Sequence, residues 1–93
     1  MRKVTVAVGS VLRSYTNGAA RVEVSVAPDA PTLADVLAAL DTEYPGIRFR
    51  MVDEAGRVRP HVQVFVGGTI QRDPAGAVPD GAEVFIVGAL SGG

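Results

Sequence analysis

The chain has 93 residues, enough for one domain with a thin core and too few for two. It has no cysteine and a single histidine, His61, which excludes disulfides and a thiolate nucleophile and argues against a zinc site or a catalytic triad. Nine basic and ten acidic residues give a net charge of −1, which offers no electrostatic case for nucleic acid or an anionic membrane. At the start, Val4, Val6 and Val8 alternate with Lys3, Thr5 and Ala7. That alternation predicts a strand with one apolar face. It also argues against a signal peptide, because no continuous apolar run follows Arg2-Lys3. No stretch approaches the ~20 apolar residues of a membrane span. A cytoplasmic protein is expected.

Residues 9–18 connect this strand to the next, with Val11 and Leu12 expected beneath the connection. Asn17-Gly18 is a turn signal, since both residues tolerate positive φ. Arg21-Val22-Glu23-Val24-Ser25-Val26 alternates again, so the chain should open with an antiparallel hairpin. Thr32 then reads as a helix N-cap, with Asp35 three residues on as its capping-box partner. Leu33, Val36, Leu37 and Leu40 recur at helical spacing and predict one helix over 33–43. Tyr44-Pro45-Gly46 ends it. The stretch 47–60 is expected to be an irregular but packed loop. Its hydrophobes are Ile47, Phe49, Met51, Val52 and Val58, and Arg48, Arg50, Arg57 and Arg59 are expected to form a solvated face. A strand over 61–66 follows, then a two-residue primed turn at Gly67-Gly68 and a short return over 69–71. Pro79-Asp80-Gly81 turns the chain into a last strand over 83–87.

The order is β-β-α-β-(β)-β. It predicts an α+β fold in which one main helix packs on one face of a mixed sheet of four to five strands. The first and last strands should be parallel central neighbours. This is a β-grasp, or ubiquitin-like, roll. The whole chain, 1–93, is expected to be one such domain, with a flexible C-terminal tail over 88–93.

Several motifs lie on this frame together. Val11-Leu12-Arg13 follows strand one, and Thr32-Leu33 with Val36-Leu37 opens the helix. Val64-Phe65-Val66-Gly67-Gly68 and Pro79-Asp80-Gly81-Ala82-Glu83-Val84 follow, and the tail is Leu90-Ser91-Gly92-Gly93. In this combination the chain resembles the MoaD/ThiS-like, ubiquitin-related sulfur carriers over essentially its whole length. The length is closer to the small subunit of molybdopterin synthase and to cysteine-biosynthesis-type carriers than to thiamine-pathway carriers. The tail departs from the family's common proline and Val-Ala-Gly-Gly ending, which leaves the receiving pathway open among cysteine, thiamine, molybdopterin and natural products.

The resemblance implies that Gly93 is the modified residue. An E1-like adenylating enzyme would use ATP and a sulfur donor to convert its carboxylate to a thiocarboxylate. A sulfur-accepting biosynthetic enzyme would then receive the sulfur. The chain would be a carrier and no enzyme, with no catalytic residue, metal or cofactor of its own. Three other readings stand beside it: the small subunit of molybdopterin synthase, a ubiquitin-like protein modifier, and a plain β-grasp interaction module.

The residues themselves fit a carrier. The chain has no Walker-type Gly-Lys-Ser/Thr to hold a nucleotide. Glycines can thread a narrow channel and adopt φ values barred to other residues. If Val62, Val64, Val84 and Ile86 face the helix, then Phe65, Phe85 and Val87 share the open face, and an exposed apolar patch there marks a partner surface. The competing expectations are that the 47–60 loop covers the patch, or that a bulge shifts the register. Leu90 is expected to enter a partner pocket. Arg13, Arg50 and Arg59 are candidates for pairing with acidic residues of a partner. His61 reads as an ordinary strand residue, and Asp80 as a turn former.

Overall fold

The computed structural model describes residues 2–88. Five strands and two helices follow in the order β1 (Arg2–Val8), β2 (Arg21–Val26), α1 (Leu33–Glu43), α2 (Ile47–Met51), β3 (Val62–Val66), β4 (Thr69–Ile70) and β5 (Val84–Gly88). A single 3-10 turn, Ser10–Leu12, lies after β1. The sheet order is β2-β1-β5-β3-β4. β1 and β5 are parallel, with Val6 opposite Val84 and Val8 opposite Ile86, and every other pairing is antiparallel. The expected β-grasp roll is therefore the fold, with the expected parallel pair inside the sheet.

Alternation decides which face is covered. Val22, Val24 and Val26 of β2 are buried, as are Val4, Val6 and Val8 of β1, Val62 and Val64 of β3, and Val84 and Ile86 of β5. They meet Leu33, Val36, Leu37 and Leu40 of α1 in one core cluster. Burying one such side chain contributes about 1.5–3 kcal/mol. The helix starts at its capping box: the Thr32 hydroxyl accepts from the Asp35 N–H at 3.2 Å, and the Asp35 carboxylate accepts from the Thr32 N–H at 2.9 Å.

The stretch after α1 corrects the sequence reading. It contains a helix, α2, which begins at Gly46 with φ of 97°. Asp41 ties the two helices together by accepting from the N–H groups of Gly46 and Arg48, each at 3.1 Å. Ile47 and Met51, four apart on α2, are both completely buried. A hairpin-like bridge between Val52 and Val58 follows, closed by Asp53, whose carboxylate accepts from the N–H groups of Ala55 and Arg57. The 3-10 turn brings a second adjustment: Leu12 is buried as expected, whereas Val11 stays 40 % exposed. Strand limits move by about one residue. His61 and Glu83 fall just outside β3 and β5, and Gly88, expected at the start of the tail, pairs with Val62.

Candidate docking face and tail root

β3 and β5 carry the apolar part of the open face. Phe65 stands directly opposite Phe85 in the ladder, and Gln63 opposite Val87. The two phenyl rings stack with centroids 6.1 Å apart. Phe85 keeps 39 % of its surface exposed, while Phe65 and Val87 are half-buried. The 47–60 segment does not close over Phe85, and the β3–β5 ladder has no bulge. Phe65, Phe85 and Val87 thus share one face.

Ile70 belongs to the same patch and was missed from sequence. It pairs with Phe65 across the β3–β4 hairpin and is 56 % exposed. The signal was present in the turn. Gly67 and Gly68 both have positive φ, 58° and 85°, as a primed two-residue turn requires. Such a turn fixes the register and sets residue 65 opposite residue 70. Phe65, Gly67, Gly68, Glu83 and Phe85 line an open groove on this face. Glu83 borders it, held by Arg21 Nε at 2.8 Å. That hydrogen bond, reinforced by the guanidinium charge, keeps the Glu83 carboxyl below its ordinary value of 4.5.

The end of β5 is pinned on both sides. Gly9 N–H donates to the Ile86 carbonyl at 2.8 Å, and Gly88 pairs with Val62. A Cβ on Gly88 would sit 3.9 Å from Val11 Cγ1 and 4.0 Å from Leu12 Cγ, so the 3-10 turn lies against the strand where it ends. Arg13 follows that turn. Its Nε donates to the Val8 carbonyl at 3.2 Å, and it has no carboxylate partner among the described residues. The Pro79-Asp80-Gly81 turn is at the opposite end of β5. Arg2 braces it, donating to the Val78 carbonyl at 2.9 Å and lying 3.3 Å from the Asp80 carboxylate, a charge contact without hydrogen-bond alignment.

Of the arginines after α1, Arg48, Arg50 and Arg57 are exposed, as expected of a solvated face, and Arg50 and Arg59 are in addition anchored. Arg50 Nε donates to the Tyr15 hydroxyl at 2.8 Å, with its guanidinium over the Tyr15 ring. Arg59 Nε donates to the Phe49 carbonyl at 2.8 Å, with its guanidinium 4.6 Å from the Phe49 ring centroid. His61 is exposed beside them. Leu90, Ser91, Gly92 and Gly93 lie outside the described residues. Among the described residues no group of three or more His, Asp or Glu side chains is placed to hold a metal ion, and no helix is long and apolar enough to cross a membrane.

Fold and face together define a small ubiquitin-like β-grasp domain with a bare apolar sheet surface. The ThiS family model matches residues 11–93. The sulfur carrier protein CysO of Mycobacterium tuberculosis is 33 % identical over 95 residues, covering 97 % of this chain and 98 % of that protein. Small archaeal modifier protein 3 of Haloferax volcanii is 37 % identical over 68 residues, covering 70 % and 73 % of the two chains. Among solved structures, the BexX/CysO complex of Amycolatopsis orientalis contains a chain that superposes with a TM-score of 0.82 at 26 % identity, covering 97 % of this chain and 99 % of that one. The chain belongs to the ThiS family, the small sulfur carriers of the ThiS/MoaD/CysO type.

Proposed function

We propose that this carrier works through a thiocarboxylate at Gly93. The observation that carries the reading is the family match, which runs through residue 93. The carboxylate of Gly93, with a reference pKa near ~3.5, is ionised at neutral pH and can attack the α-phosphorus of ATP, releasing pyrophosphate. A sulfide equivalent then attacks the acyl carbon, AMP leaves, and the C–S bond of the thiocarboxylate forms. The thiocarboxylate sulfur displaces a leaving group at an electrophilic carbon of the acceptor. Water then cleaves the acyl C–S bond, restoring the Gly93 carboxylate and leaving the sulfur on the acceptor as a thiol. No residue of this chain needs to act as acid, base or ligand. The E1-like activating enzyme would bind ATP and the sulfur donor, and the chain serves as its substrate.

The open face supports docking to such partners. Phe65, Phe85, Val87 and Ile70 would seat on the partner, while Arg13, anchored on the Val8 carbonyl, would pair with an acidic residue of the partner. Leu90 would fill a partner pocket, with Ser91 and Gly92 threading behind it. The Amycolatopsis CysO structure is a complex with BexX, which favours a sulfur-accepting biosynthetic enzyme as one partner. ATP-dependent activation belongs to the cytoplasm, where we place this carrier.

The test is mass spectrometry of the purified chain after incubation with an activating enzyme, ATP and a sulfur source. A gain equal to replacement of one oxygen by sulfur is expected, located at Gly93 and absent after deletion of Gly93. Thiolation of the deletion variant would sink the proposal. The match to a small archaeal modifier supports a second reading, conjugation of Gly93 to lysines of other proteins. Conjugates that survive reducing agent would establish it.

A further inference from the structure

Six of the nine basic residues of the chain can be sorted by their partners. Lys3 is the lone lysine, and the other eight are arginines. Arg2, Arg21 and Arg57 each lie against a carboxylate, those of Asp80, Glu83 and Asp53. Arg72 is engaged with backbone, its two amino groups donating to the carbonyls of Val62, Val58 and Arg59. Arg50 and Arg59 differ from these four. Each anchors only its inner Nε edge, on the Tyr15 hydroxyl and the Phe49 carbonyl. Each lays its guanidinium on an aromatic ring. Neither forms an ion pair within the described residues. Asp53 feels the charge of Arg59, the smallest of the influences that lower its carboxyl, but makes its ion pair with Arg57.

Their location adds to this. Phe49, Arg50, Arg59 and His61 line one shallow depression. His61 adjoins Val62, and Val62 is the ladder partner of Gly88. Tyr15, beneath Arg50, hydrogen-bonds through its backbone to Leu12, which lies against Gly88. The depression therefore borders the point where β5 ends.

We propose that Arg50 and Arg59 form a docking site for an acidic segment of a partner protein, a run of Asp or Glu carboxylates. An arginine held by its Nε edge and lying over a ring leaves its outer amino groups free to meet a carboxylate. Phe49, 60 % exposed, offers an apolar surface to the intervening methylenes of such a segment. In a chain of net charge −1, unpaired guanidiniums grouped at one place supply local complementarity that the whole molecule lacks. Exposed ion pairs contribute little affinity but steer encounter. The site would thus turn the partner toward the end of β5. Only the identity of the partner rests on the carrier reading. The site itself is testable without activation of Gly93.

The probe is a fluorescent hexaglutamate peptide titrated into the full chain at low salt, with NMR observation of the arginine Nε–H signals. Saturable shifts at Arg50 and Arg59 are expected, weakening as salt is raised. The double variant Arg50→Gln, Arg59→Gln should weaken binding about fivefold. The variant Arg50→Lys, Arg59→Lys, which keeps the charge but loses the Nε anchor and the planar fork, should recover only part of it, and Arg57→Gln should leave it unchanged. The amide fingerprint of each variant confirms its fold. The proposal is overturned if the double Gln variant binds as the parent does, or if Arg57→Gln weakens binding equally. Tighter, competing binding of inorganic tripolyphosphate would assign a small-anion site and overturn the peptide.

Discussion

Phe65 and Phe85 face each other across the β3–β5 ladder with their ring planes only 29° apart, and Phe85 remains 39 % exposed. A stacked pair at the surface contributes modestly to folding and offers a large flat area to a partner. Phe85→Ala should therefore lower unfolding free energy by about 1 kcal/mol and cut enzyme-dependent thiolation of Gly93 by about tenfold or more. Thermal unfolding and the mass assay, run on one preparation, separate the two effects. Unchanged thiolation would remove this face from the docking surface.

The buried side of the same strand should behave in the opposite way. Ile86 is fully buried against α1's core residues. Ile86→Ala should cost about 2–5 kcal/mol, enough to unfold much of a small domain at 37 °C. Ile86→Val should cost about 0.5–1.5 kcal/mol. Urea midpoints measure both, and thiolation per folded molecule should stay near the parent value for the Val variant.

The capping box at Thr32 and Asp35 gives a local test of α1. Thr32→Ala removes the acceptor of the Asp35 N–H and should cost about 1 kcal/mol. Replacement by Ser keeps the oxygen and should recover most of the loss. Urea unfolding of the two variants side by side decides it.

Glu83 sets an acid limit. Its carboxyl is held below 4.5 by the hydrogen bond from Arg21 and then by that residue's charge. A carboxyl lowered in the folded state stabilises it at pH values above the unfolded pKa. That contribution falls away as pH drops from about 4.5 through the lower folded value. Glu83→Gln should lower the urea midpoint slightly near pH 7, leave it unchanged at pH below the folded value, and so flatten its dependence on pH in this window, the change being small because the pair is exposed. An unchanged acid slope would mean that the pair contributes nothing measurable.

The fold was legible in the sequence where a period or a punctuating residue was strong. Leu33–Glu43 was bounded correctly because Thr32 caps it and Tyr44-Pro45-Gly46 stops it. The parallel β1–β5 pair followed from two apolar strands whose connections left each other as neighbours. The helix α2 escaped because five residues make barely more than one turn, too few to show a stripe. Its one clue was the spacing of Ile47 and Met51. The patch was legible through strand parity at Phe65, Phe85 and Val87, and Ile70 needed the register that Gly67-Gly68 imposes. The anchoring of Arg50 and Arg59 had no sequence signal, because Tyr15 and Arg50 are 35 residues apart and meet only through packing.

The place of β5 in the sheet ties synthesis to folding. The β1–β2 hairpin touches the β3–β4 hairpin in the sheet only through β5. A chain that stops before Val84 holds two unjoined hairpins with unpaired edges, each marginal alone. A chain truncated there is expected to be cleaved by protease faster than the full chain. A molecule that has closed its sheet has, by that fact, been translated at least through Val84–Gly88.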